Sequence, residues 1–380
     1  MDSELLARLT AWRRHLHAHP GLTLHEEETA AFVSERLAEM GIPHQRGIGK
    51  NGIVATISRG SSNRAVGLRA DMDALPITEQ TGVPHASTNP GVMHACGHDG
   101  HTTSLLGAAA LLMADPNWSG TVHLVFQPAE EGGGGARAMI ADGLFQRFPM
   151  ERIFGYHNWP GLEAGTVAVH DGPVMAAGAR VSFAIEGAAG HAALPQLTRD
   201  PVVAAGHLIV ALQSVVARNV DPLESAVISI GVIQGGSAAN QIPATVNLHG
   251  TMRYYRDHIR DVLDAGVRRV AAGIGATCDV SIGVEIRYGV GATVNTGPEA
   301  EVAAAAAEHA GLALRRDLPP AMTGEDFAWY LREKPGAFAW IGNGPDSGGR
   351  ELHSPRYDFN DAVLPAASAW LATVARDALR

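Results

Sequence analysis

ARVSFAIEG, residues 179–187, reads as a strand and opens the run that decides the architecture. After it come a helix, DPVVAAGHLIVALQSVVARN with Asp200 placed to cap it, strands SAVISIGVIQ and ATVNLHGTMRYY, helix DHIRDVLDAGVRRVAAGIG and strand CDVSIGVEIRYG. The order β-α-β-β-α-β is that of a ferredoxin-like split βαβ unit, which makes a compact module of its own. Outward on either side the pattern differs. Upstream, helices ELLARLTAWRRHL and ETAAFVSERLAEM, the latter stopped by Gly41, lead into alternating strands (GIVATIS, AVGLRA, TVHLVFQ, RIFGYH) and helices (TTSLLGAAALLM, GARAMIADGL). Downstream, helix EAEVAAAAAEHAG, a short helix from GEDFAWYLRE, strand AFAWIGN and a terminal helix from Asp361 resume the alternation. The chain therefore reads as an α/β domain, with a mixed, largely parallel sheet and flanking helices over 1–177 and 290–380. An α+β module over 178–289 interrupts it.

The bulk properties agree with two globular domains: 380 residues, 46% apolar and 18% charged. A net charge of −10 without a Lys/Arg-rich run gives no footprint for nucleic acid or anionic lipid. The start, MDSELLARLTAWRRHLHAHP, lacks the pattern of a signal peptide, and apolar stretches such as LLGAAALLM are too short to span a bilayer, so a cytoplasmic protein without membrane contact is expected. Cys96 and Cys278 are the only cysteines, which suits a reducing compartment and makes Cys96, set between glycine and histidines, a ligand candidate.

Chemistry gathers where strands end. Asp71 and Asp73 (RADMDALP) follow AVGLRA, Glu130 and Glu131 (QPAEEGGGG) follow TVHLVFQ, and His157 (YHNWPG) closes RIFGY. In open α/β sheets the crevice beyond the carboxyl ends of strands binds ligands, so these groups can converge, together with the bend VMHACGHDGHTT at 92–103. Each has an ordinary reading alone: His94 and His101 as hydrogen-bonding or helix-start residues, paired glutamates as a solvated face, His157 and His353 (LHSPRYDF) as structural histidines. As a set, a thiolate, three imidazoles and a carboxylate match a borderline-soft transition-metal site, and they exceed what one tetrahedral ion needs. A pair of metals sharing ligands is the natural reading. Hydrolysis of a peptide-like bond also needs a base, and of two consecutive glutamates one can ligate while the other moves the proton.

The strings LHAHPGLTLHEEET, RADMDALP, GVMHACGHDGHT, QPAEEGGGGA, YHNWPGLEAG, GAAGHAALP, NQIPATVNLHGTMR, TGEDFAWYL and LHSPRYDFND, in that order from about residue 12 to the last helix, resemble the metal-dependent aminoacylase/carboxypeptidase family. The branch is that of hippurate hydrolase, N-acyl-L-amino-acid amidohydrolases and indole-acetyl-amino-acid hydrolases. The resemblance implies Cys96, His98, Glu131, His157 and His353 as metal ligands and Glu130 as general base. It implies that His191 in GHAALP reaches over the cleft to polarise the scissile carbonyl, in a dimer from the partner subunit. Asn240 and Arg253 would hold the substrate, Arg253 through its carboxylate. The cofactor implied is two divalent ions per subunit, zinc first, with manganese, cobalt or nickel as alternatives. The 178–289 module would be a lid that also dimerises. Two departures stand out. Asp71-Met72-Asp73 replaces the wider family's His-x-Asp, so Asp71 is left out of the ligand set and Asp73 is taken to orient the site. Gly21 stands where glutamate is common, in a segment assigned neither function nor metal.

The expected activity is hydrolysis of an N-acyl amino acid. The rivals are a short-peptide or N-carbamoyl amino acid hydrolase using the same groups, and a non-catalytic metal-binding dimer, against which Glu130 argues.

Overall fold

The computed structural model describes residues 1–345 and 350–380, and divides into two compact units. The first comprises Met1–Val174, Thr293–Pro320 and Asp326–Arg380, the second Met175–Ala292 and Ala321–Glu325. The boundaries read at 178 and 289 fall inside the main stretch of the second unit. No sequence pattern announced 321–325, which joins that unit because Ala176 N–H donates to the carbonyls of Ala321 and Thr323.

The first unit is built on an eight-stranded mixed sheet. Its order is His44–Ile48, Gly52–Arg59, Gly120–Gln127, Ala65–Asp71, Arg152–Pro160, Gly336–Gly344, Val167–Val169 and Leu314–Arg315. The central pairings, Ala65–Asp71 with both of its neighbours and Arg152–Pro160 with Gly336–Gly344, are parallel. Strands covered on both faces are buried almost throughout, as in Gly336–Gly344, which explains their unbroken apolar sequence. Helix His98–Ala114 packs between strand Ala65–Asp71 and the helices Ser3–Ala18 and Leu364–Ala378. Close approach to the last depends on Gly107, where a Cβ would lie 2.2 Å from Ser368 Oγ. The helix that begins at His98 is therefore closely packed along its length.

The second unit is a four-stranded antiparallel sheet in the order Ala226–Gly235, Thr245–Tyr254, Ala177–Glu186, Ser281–Tyr288. This is the ferredoxin-like order. Along Ala177–Glu186 burial alternates, with Ala179, Val181, Phe183 and Ile185 inward against helices Pro201–Asn219 and Asp257–Cys278. Asp200 caps the first helix by accepting from Val202 N and Val203 N at 2.8 and 3.2 Å. The helices meet closely at Gly266, where a Cβ would touch Val215. One expectation is corrected here: Pro201–Asn219 is long and apolar enough, by length and composition, to cross a bilayer, at a mean hydropathy of 1.5. In this fold its Ala204, Leu208, Leu212 and Val215 enter the unit's own core.

Candidate metal centre

The first unit brings Cys96, His98, Glu130, Glu131, His157 and His353 together at the carboxyl ends of its strands. The ligand atoms of Cys96, His98 and His157 lie within 4.8 Å of one another, as do those of Cys96, Glu131 and His353, and those of His98, Glu130 and Glu131. The first two triads share the Cys96 sulfur. His157 Nε2 is 3.3 Å from that sulfur, and His353 Nε2 is 3.2 Å from Glu131 Oε1. Cys96, His98 and His157 are buried, whereas His353 is exposed, on a turn where it adopts φ +64° and donates its N–H to Ala95 O at 2.8 Å.

Each element aims its side chain for a local reason. Gly97, at φ +90°, turns the chain between Cys96 and the helix that starts with His98, and a Cβ there would fall 2.3 Å from Asn158 Nδ2 and 2.5 Å from Tyr357 Oη. Asn158, next to His157, donates through Nδ2 to Cys96 O and accepts from Tyr357 Oη through Oδ1 at 2.6 and 2.7 Å. Asp73 accepts from the consecutive N–H groups of Glu130 and Glu131, both at 3.0 Å, and from Thr23 Oγ1 at 2.7 Å.

Hydrogen bonding also assigns the imidazole tautomers. His98 Nδ1–H donates to Asp73 O at 2.8 Å and to Asp73 Oδ1 at 3.2 Å, so the lone pair is on Nε2. His157 Nδ1–H donates to Asn158 O at 2.6 Å, again freeing Nε2. His101 is different. Its Nδ1–H donates to Asp71 at 2.6 Å, and its Nε2 accepts from Asn158 N and Nδ2, which leaves no lone pair for a metal. Asp71 is also held by Arg69 at 2.8 Å and lies 3.6 Å from His98 Nε2.

The donor set fits a cation. His98 Nε2 and Glu131 Oε1 are buried and have no hydrogen-bond partner among the described residues, the mark of atoms that await a different ligand. Burial lowers the His98 pKa, but Asp71 and Asp73 outweigh it and raise the group to about 10, so these carboxylates favour a positive charge at Nε2, supplied by a second proton or by a metal ion that takes the lone pair in its place. Burial pushes the Cys96 thiol well up, and Glu131, Glu130 and Asp71 add to it. Only a cation alongside would hold it as thiolate. Burial keeps His157 neutral, as a ligand must be.

In the second unit, His191 is exposed and lies in a two-stranded ladder opposite Gln241, with Ala192 N donating to Asn240 O at 3.0 Å. His191 Nδ1 accepts from Ala193 N at 3.0 Å, so its proton is on Nε2. Arg253 lies opposite Gly178 in strand register and donates to Thr251 Oγ1 and Met252 O.

Sequence reasoning missed the supports: Thr23, Asn158, Tyr357 and Glu26, whose carboxylate accepts from Ala129 N at 3.0 Å. Asn158 was signalled only by its place after His157.

Residues 67–377 match the model of peptidase family M20/M25/M40. The chain is 42% identical over 370 residues to an N-acetyl-L-cysteine deacetylase of Bacillus subtilis (97% of this chain, 88% of that protein). It is 39% identical over 365 residues to a hippurate hydrolase of Campylobacter jejuni (96% and 94%). A solved structure of the Bacillus subtilis YxeP protein, described as a dinuclear metal binding peptidase from the M20 family, is similar at TM-score 0.87 and 35% identity over 98% of both chains. The chain belongs to peptidase family M20/M25/M40. It is a hydrolase acting on amide bonds.

Proposed function

We propose that the protein cleaves the amide bond of N-acyl amino acids to a carboxylic acid and a free amino acid. The observation that carries this reading is the pair Glu130–Glu131, pinned through successive backbone N–H groups to Asp73, beside a cluster of soft and borderline donors. Cys96, His98, Glu131, His157 and His353 would hold two divalent ions, zinc first and manganese, cobalt or nickel as alternatives. Such ions, when bound, polarise an amide carbonyl and lower the pKa of water. Glu130 takes the proton from the attacking water and delivers it to the leaving nitrogen. Asp73 orients both His98 and the two glutamates. Residues 178–289 form a lid and dimerisation module, from which the His191 Nε2–H stabilises the developing oxyanion. Asn240 and Arg253 hold the substrate, Arg253 through its carboxylate. A small N-acyl amino acid fits the activities for which the deacetylase and hippurate hydrolase relatives are named. A homodimer in the cytoplasm completes the reading, the unpaired Cys96 and Cys278 being suited to a reducing compartment.

The test is turnover of benzoyl-glycine and N-acetyl-methionine by protein loaded in turn with zinc, manganese, cobalt and nickel, alongside dipeptides and N-carbamoyl amino acids. Preference for the acyl amino acids is expected. Turnover of only dipeptides or only carbamoyl compounds would move the substrate class to those.

A further inference from the structure

Glu26 is fully buried, 0% exposed, yet among the described residues its carboxylate is bonded by two backbone N–H groups and an amide and by no cation. Oε1 accepts from Leu24 N at 2.7 Å and Ala129 N at 3.0 Å, and Oε2 from Asn51 Nδ2 at 2.8 Å. Glu26 stands at the N-cap of helix Glu27–Glu39 but does not cap it, its side chain being spent on the loop that follows strand Gly120–Gln127. That loop is unusual. Ala129 is buried and takes φ +54°, a left-handed conformation that is strained for a residue with a Cβ.

The consequence lies in the next two positions. The N–H groups of Ala129, Glu130 and Glu131 donate in succession into two buried carboxylates, the first into Glu26 and the others into Asp73. The Glu26 turn and the loop are also packed together, since a Cβ on Gly133 would lie 2.6 Å from both Thr23 Cγ2 and Ala129 Cβ. The same turn is tied to the Asp73 segment by Thr23 Oγ1, which donates to Asp73, and by Ala74 N, which donates to Gly21 O at 2.8 Å. The segment carrying Gly21, assigned no function from sequence, is thus the outer wall of the loop bearing the glutamates. A buried carboxylate with no cation partner is a costly way to stabilise a fold, and a glutamate here is better accounted for by what it aligns.

We infer that Glu26 is a positioning residue for the hydrolytic reaction: by holding Ala129 in its left-handed conformation it fixes the direction in which Glu130 and Glu131 leave the backbone. This rests on the proposed roles of those two glutamates. Asn51 supports it by satisfying the second carboxylate oxygen. Glutamine can replace Glu26, because its amide oxygen still accepts from Leu24 and Ala129 while its NH₂ meets Asn51 after that amide turns over.

The test compares Glu26→Leu, Glu26→Gln and Glu130→Gln on benzoyl-glycine with metal content measured for each. Glu26→Leu should lower kcat about tenfold or more with KM within about twofold, and Glu26→Gln should restore most of it. A folded, metal-loaded Glu26→Leu with the kcat of the unaltered protein overturns the inference, as does a Glu26→Gln as impaired as Glu26→Leu. If Glu26→Leu does not fold, Asn51→Ala serves instead: a several-fold loss of kcat at constant KM supports the inference and an unchanged kcat overturns it. Full turnover by Glu130→Gln would refute the role of Glu130, a result distinguishable from all of these.

Discussion

Asp73 and His98 meet twice through one nitrogen: His98 Nδ1–H donates both to the Asp73 carbonyl, at 2.8 Å, and to its carboxylate, at 3.2 Å. This fixes the imidazole plane and leaves Nε2 facing the cluster. The same carboxylate holds Glu130 and Glu131, so one residue orients the proposed ligand and the proposed base together. Asp73→Asn would put an NH₂ against N–H donors on one side. We expect metal affinity to fall about 10- to 100-fold, with activity following it. Metal titration of the apo protein checks this, and unchanged affinity would remove Asp73 from its orienting role.

Cys96→Ser should reduce metal content and activity together, because a hydroxyl is a poor substitute for a thiolate shared between two triads. Elemental analysis of the purified variant reads the result. Full occupancy would take Cys96 out of the ligand set.

A pH dependence of stability follows from His17, buried between Asp99 at 2.7 Å and Glu79 at 3.3 Å. Burial lowers its pKa, but the bonds to Asp99 and Glu79 outweigh this and raise it to about 10. The group is raised above its unfolded value of about 6.5, so its contribution is complete below pH 6.5 and is lost as pH climbs toward 10. Glu79 moves the other way. Burial raises its pKa, but His17 and Thr81 lower it to about 2, so its contribution is present above about pH 4.5 and is lost on acidification. The urea midpoint of the unaltered protein should exceed that of His17→Gln most between these limits, and the gap should narrow from pH 6.5 to 10. A gap constant over that range would exclude His17 as its source.

Much of this was legible in the sequence because the strand ends that carry Asp73, Glu130 and His157 are marked by apolar runs followed at once by polar residues. The Asp200 cap and the β-α-β-β-α-β order were legible for the same reason: each is a local pattern. Strands Val167–Val169 and Leu314–Arg315 are too short to show a period. The excursion 321–325 joins the second unit through backbone hydrogen bonds, which carry no side-chain signature. Glu26 was hidden among three consecutive glutamates at a helix start, where a solvated first turn is the ordinary outcome, and only the three-dimensional approach of Ala129 singles it out.

His191→Ala should leave fold and metal content intact and lower kcat, the loss of one oxyanion donor costing roughly 3 kcal/mol. Mixing inactive His191→Ala with inactive Glu130→Gln under subunit exchange should restore activity if His191 acts on the partner subunit. No restoration, with exchange demonstrated, would assign it to its own chain.

Hydrolysis by this site depends most directly on Glu130, and the decisive measurement is the turnover of benzoyl-glycine by Glu130→Gln together with its metal content, set against Glu131→Gln. Glu130→Gln should keep its metal while turnover drops by a factor on the order of 10² to 10⁴, and Glu131→Gln should lose metal. Turnover by metal-loaded Glu130→Gln close to that of the unaltered protein, or equal loss of metal in both variants, would contradict the division of labour between the two glutamates.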